Sequence, residues 1–132
     1  MEVFRYTNAR TLERDRGVGY LRPHFLEWGS PIYAFPDSPL RWGARETLEV
    51  LSHTQRLSGS SADRLITFTI PETTDVTAYV QEGQLRVWEK SETRRPISEY
   101  RRKDYTRPEV VIWGQIPLSI VQELEFPEFL KR

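Results

Sequence analysis

Proline and glycine interrupt this chain so often that long helices have little room between them. There are 9 prolines and 7 glycines in 132 residues. Proline fixes φ and removes a backbone donor, and glycine supplies turns. Several short elements follow, and a bundle of long helices is excluded. A chain of this length is expected to form one domain, residues 1–132, with a single core and no staples.

Other properties exclude whole classes of function. The 19 basic and 19 acidic residues cancel, so no global field draws in nucleic acid or an anionic membrane. The absence of cysteine removes disulfides, thiolate metal sites and cysteine nucleophiles. With His24 and His53 the only histidines, no metal centre is expected. The opening MEVFRYTNAR has acid and base in its first five residues and no apolar run, unlike a signal peptide. No apolar run approaches the roughly 20 residues that span a bilayer. The expected location is the cytoplasm, with no membrane partner, and delivery into a target cell by a signal-less machine stays open.

Hydrophobic patterning gives the order of elements. Val3–Tyr6 reads as a first strand, and Thr7 or Asn8 can cap a short helix through Arg14, stopped by Gly17–Gly19. Tyr20–Leu21 and Pro31–Phe35 read as extended, separated by the loop Arg22–Ser30. Ser38-Pro39 opens a helix with Leu40, Ala44, Leu48 and Leu51 on one face. Leu65–Ile70 alternates β-branched and aromatic residues and is the clearest strand; Val76–Val80 and Leu85–Trp88 follow. Segment 89–108 is dense in charge, Glu109 heads an apolar strand, Pro117 starts a helical turn, and Leu124-Glu-Phe-Pro127 is an edge strand. The class is α+β with a mostly antiparallel sheet.

Few residues in this layout carry recognisable chemistry. There is no G-x-S-x-G elbow or P-loop, and Gly17-Val-Gly19 lacks the third glycine of a dinucleotide fingerprint. The bases of 89–108, interleaved with Trp88, Tyr100 and Tyr105, could form a nucleic-acid surface, but the acids among them favour a solvated face. A narrower role, seating one substrate, survives. Glu109 is the least ordinary residue, an acid heading a buried strand. Singly, Arg5 reads as a solvent-facing strand residue, Tyr33 as core, and Glu109 as a strand-end acid paired with Arg107 or Lys103.

In order, however, three segments resemble the motifs of the ADP-ribosyltransferase superfamily. The likeness is to the small bacterial branches related to the DarT DNA-modifying toxins and the HYD1-type toxin domains. "VFRYT" at 3–7 is similar to their first-strand motif, a histidine or arginine followed by Tyr-Thr and a short helix. "YLRPHFLEWGSPIYAF" at 20–35 is similar to the second, a turn into a strand whose tyrosine faces nicotinamide. "EVVIWGQIPLSIV" at 109–121 is similar to the last, where the catalytic glutamate begins a strand. Arg5 stands where the HYD1-type branch has histidine. Arg107-Pro108 precedes Glu109, so the paired acid or amide of the arginine-modifying toxins is missing, which speaks against an arginine acceptor.

The resemblance implies a split antiparallel sheet and an NAD-consuming mono-ADP-ribosyltransferase, a toxin or conflict-system effector. It assigns catalysis to Glu109 and Arg5, with Glu109 the anion beside the ribose and Arg5 a donor to the cofactor. Tyr33 would stack on nicotinamide, with Tyr6, Thr7, His24 and Trp42 lining the pocket. The substrate is NAD; the acceptor is a macromolecule, DNA or RNA ahead of protein; a cognate antitoxin or immunity protein is a possible partner. The competing reading is an inactive or unrelated α+β module of immunity or antitoxin type that binds a partner. The enzyme reading expects Arg5, Tyr33 and Glu109 in one cleft.

Overall fold

Residues Val3 to Thr7 are all buried, the mark of a strand covered on both faces. They form β1 (Glu2–Thr7). The computed structural model describes residues 1–21, 31–38, 48, 50–52, 62–83 and 94–126. After β1 come α1 (Ala9–Val18), β2 (Tyr20–Leu21), β3 (Ile32–Ala34), β4 (Arg64–Thr69), β5 (Thr77–Glu82), β6 (Arg95–Pro96), β7 (Pro108–Trp113), β8 (Ile116–Pro117) and β9 (Gln122–Leu124). Short 3₁₀ turns occupy Ile97–Glu99, Arg102–Asp104 and Leu118–Ile120.

Every pairing among the described strands is antiparallel. One sheet runs β1-β4-β9, a second β3-β7-β5-β6, and β2 pairs with β8. Phe4 and Phe35 exchange both backbone bonds, at 2.8 and 2.7 Å, and so join β1 to the second sheet. The fold is α+β, mostly antiparallel, with few and short helices. No helix among the described residues is long and apolar enough to cross a membrane.

Local chemistry accounts for the element ends. Asn8, rather than Thr7, caps α1, its Oδ1 accepting from the Thr11 amide at 2.8 Å. Thr7 is instead the last residue of β1, and its carbonyl accepts from the Asp63 amide. The helix runs past Arg14 to Val18, where Gly19, at φ 85°, donates its amide to the Asp15 carbonyl. Gly114 turns β7 into β8 at φ 124°, and a Cβ there would meet the Asp75 carbonyl oxygen at 2.5 Å. The expected strand Leu85–Trp88 and positions Leu40 and Ala44 lie outside the described residues, whereas Leu48 and Leu51 are helical. The strand expected near Leu124 is the edge strand β9.

The main core gathers Val3, Ile66 and Phe68 of one sheet, Ile32, Ala34, Val80, Val110 and Ile112 of the other, and Leu12 of α1. A smaller core on the opposite face of β1 and β4 holds Phe4, Tyr6 and Leu65, with Phe35, Leu51, Leu124 and Phe126 against them.

Alternation along β1 turns Arg5 to the main-core face, in register with Ile66. There it is 2% exposed, beneath the inner face of α1, where Leu12 and Asp15 are buried. Burial pulls the guanidinium down to about 10; the Asp15 carboxylate opposes that shift and Arg14 adds to it. Arg14 also stands 3.6 Å from Asp15. The buried cation on β1 thus lies within the electrostatic reach of Asp15 on α1. Truncating a long buried side chain removes its packing and leaves a cavity, so Arg5→Ala should cost on the order of 2–5 kcal/mol in urea unfolding. A loss below about 1 kcal/mol would remove Arg5 from the list of fold-holding residues.

Candidate functional site around Glu109

The same alternation decides what the second sheet presents. On β7, Val110 and Ile112 enter the main core, so Glu109, Val111 and Trp113 take the other face. In register, β5 sets Gln81 opposite Glu109 and Tyr79 opposite Val111, while β3 sets Tyr33 opposite Val111 from the other side. One face therefore carries a carboxyl, an amide, two tyrosines and a tryptophan within adjacent cross-strand rows.

Glu109 is 7% exposed, and its Oε1 accepts from Gln81 Nε2 at 3.2 Å. Burial pushes the carboxyl up to about 7, and the Gln81 bond pulls the other way. The ordinary explanation for this acid, pairing with Arg107 or Lys103, does not apply: neither cation contributes to its shift. The Tyr33 hydroxyl is raised by burial first and then by Glu109 and Tyr79, with Arg94 opposing. Arg94, just before β6, lays its guanidinium 3.8 Å from the Tyr79 ring centroid, and Trp113 Nε1 donates to the Tyr79 hydroxyl at 3.1 Å.

Two carboxylates fix the backbone leading into β7. Glu82 accepts from the Thr106 amide at 3.0 Å and the Arg107 amide at 2.7 Å. Asp37 accepts from the Tyr100 hydroxyl at 2.9 Å and faces Arg102 Nε at 3.0 Å. Gly83 donates to the Arg107 carbonyl at 2.7 Å, so the β5 end and the β7 start are tied beside Glu109.

Of the residues singled out in sequence, Glu109 and Tyr33 come together. Tyr6 shares their face, because the Phe4–Phe35 bridge carries the register across; burial raises it to about 12, and it meets Phe126 edge-on at 5.9 Å. Arg5 does not join them. Strand alternation turns it, with Thr7, to the opposite face, so the cleft shared by Arg5, Tyr33 and Glu109 does not form. His24 and Trp42 lie outside the described residues. Arg94 belongs to the basic run 89–108, whose role of seating a substrate the sequence keeps open, whereas Gln81, Tyr79 and Trp113 went unnoticed in the sequence; a polar Gln81 in phase with Tyr79 was the available sign. No group of three or more metal-ligating side chains gathers among the described residues.

A carboxyl near 7 accepts or gives a proton at neutral pH, and when ionised it is a fixed anion in a poorly solvated place. That has a stability consequence. The folded carboxyl near 7 holds its proton more tightly than the unfolded one near 4.5, so stability falls as pH rises between those values. Glu109→Gln keeps an acceptor for Gln81 and removes the titration. It should stabilise the protein by on the order of 1–3 kcal/mol at pH 8 and hardly at all at pH 4.5, read from urea midpoints. An equal effect at both pH values would refute a buried titrating acid.

Comparison of the chain with models of protein families, with curated proteins and with solved structures finds no match.

Proposed function

We propose that this chain is an NAD-consuming mono-ADP-ribosyltransferase with the ADP-ribosyltransferase-like split sheet, acting as a toxin or conflict-system effector in the cytoplasm of its own or a target cell. The observation that carries the reading is Glu109: a carboxyl tuned to about 7, held by an amide, beside tyrosine rings on one sheet face. The residues present suit NAD. Tyr33 offers a ring, Arg94, lying over Tyr79, a cation for phosphate, and Glu109 and Gln81 acceptors for hydroxyls.

NAD supplies a ribose carbon bonded to a good, neutral leaving group. Glu109, ionised, is the anion beside the ring as positive charge grows there, an attraction stronger in the transition state than before it. The same carboxylate takes the proton of the attacking acceptor. Arg5 is left out of this machinery and holds the fold; phosphate contact falls to Arg94. The acceptor favoured is DNA or RNA over protein, because the bases Arg94, Arg95, Arg101, Arg102, Lys103 and Arg107 are exposed in the segment that precedes Glu109 in the chain. A cognate antitoxin would cover this face.

One observation favours a second reading. Arg5, which the resemblance gives to the cofactor, is buried across the sheet, on the main-core face. An inactive α+β module that binds a partner protein accommodates that placement without further assumptions. Nicotinamide release from NAD, assayed with separate pools of DNA, RNA and protein, separates the two. The enzyme should release nicotinamide at a rate that rises with pH through about 7, as Glu109 ionises, and Glu109→Gln should lose on the order of 10²–10³-fold in kcat. Wild-type protein that neither cleaves NAD nor gains thermal stability from it is the interaction module.

A further inference from the structure

Gln81 is 2% exposed, yet only half of its amide is used. Its Nε2 donates to Glu109, while its Oε1 is buried with no hydrogen-bond partner among the described residues. An ionised carboxylate has only acceptors, so in that state the amide presents its –NH₂ to Glu109 and leaves its oxygen for another donor. A buried acceptor without a partner is rare in folded proteins and marks a place where something else completes the bond. Beside it, Glu109 spends Oε1 on the amide and keeps Oε2. Two acceptors therefore belong to residues paired across β5 and β7 in one cross-strand row, with tyrosines in the next row and a guanidinium at the edge.

We infer that Gln81 is a substrate-contacting residue whose Oε1 accepts a hydrogen bond from one hydroxyl of a ribose cis-diol while Glu109 Oε2 accepts from its neighbour. Acceptors on two cross-strand partners suit a group that carries neighbouring donors. A guanidinium also has them, but Arg94 already places one cation on this face, which disfavours a second. A neutral diol on a phosphate-bearing nucleotide meets no such repulsion, and its phosphate suits Arg94. The diol makes the dyad selective: a ligand without it leaves both acceptors buried and unpaired, a penalty that discriminates more sharply than lost apolar contact. This inference rests on the enzyme reading for the identity of the nucleotide but not for the diol itself.

The test uses the whole chain, ¹⁵N-labelled, with NAD, ADP-ribose, adenosine and 2′,3′-dideoxyadenosine as probes. The ribose ligands should move the Gln81 side-chain amide signals and the dideoxy compound should not. Gln81→Leu should weaken adenosine and ADP-ribose about tenfold or more, with dideoxyadenosine unchanged. Gln81→Glu, which keeps an acceptor and shares the Glu109 proton, should restore most of that loss. If no ribose ligand moves the Gln81 signals of wild type, the inference is overturned, whether or not the variants fold. If Gln81→Leu cleaves NAD with wild-type KM and kcat, the inference fails and the enzyme reading stands. If wild type binds ribose ligands through Gln81 but never cleaves NAD, the enzyme reading fails and the diol site stands.

Discussion

Burial of Val110 and Ile112 in the main core is the constraint from which the site follows. Once those side chains point inward, the pleat of β7 sends Glu109 and Val111 to the other face, and the β5 and β3 registers bring Gln81, Tyr79 and Tyr33 beside them. A slip of one residue would bury Glu109 in the main core and expose the two aliphatic residues, at a cost of several kcal/mol. The hydrophobic core and the placement of the acid are therefore one physical fact. The bonds from Thr106 and Arg107 to Glu82 hold the start of the strand to the end of β5, so little freedom remains between the carboxyl and its amide.

The protein buries charge on both faces of its sheet, and the two sites are built differently. Arg5 has an opposite charge within reach, Asp15 on α1, which offsets part of the effect of its burial. Glu109 is given no cation, only an amide, and burial raises its carboxyl instead. An acid arranged in this way lowers stability whenever it is ionised, and such a cost persists at sites that serve chemistry. The contrast is a physical reason for reading the Glu109 face, and not the Arg5 face, as functional.

Much of the fold was legible because local signals agreed. Alternation in Leu65–Ile70 and the apolar run after Glu109 mark strands, the asparagine before α1 and the glycine after it mark a helix, and proline after Leu124 marks an edge. The phase of Arg5 was not legible. Val3 to Thr7 are buried on both sides, since the main core covers one face of β1 and the smaller core the other, and a strand buried on both faces has no periodicity to read. Gln81 was missed for a different reason: it meets Glu109 across 28 residues of chain, and nothing local sets that register. Nothing in "LERDRG" marks Asp15 as the charge that would be buried within the electrostatic reach of Arg5, since that depends on how α1 lies against the sheet.

All of this turns on one carboxyl being buried, amide-bound and close to neutral in its titration. A ¹³C NMR titration of the Glu109 side-chain carboxyl in the folded protein measures it directly. The expected midpoint is about 7. A midpoint near the ordinary glutamate value of about 4.3 would contradict a desolvated acid on this face.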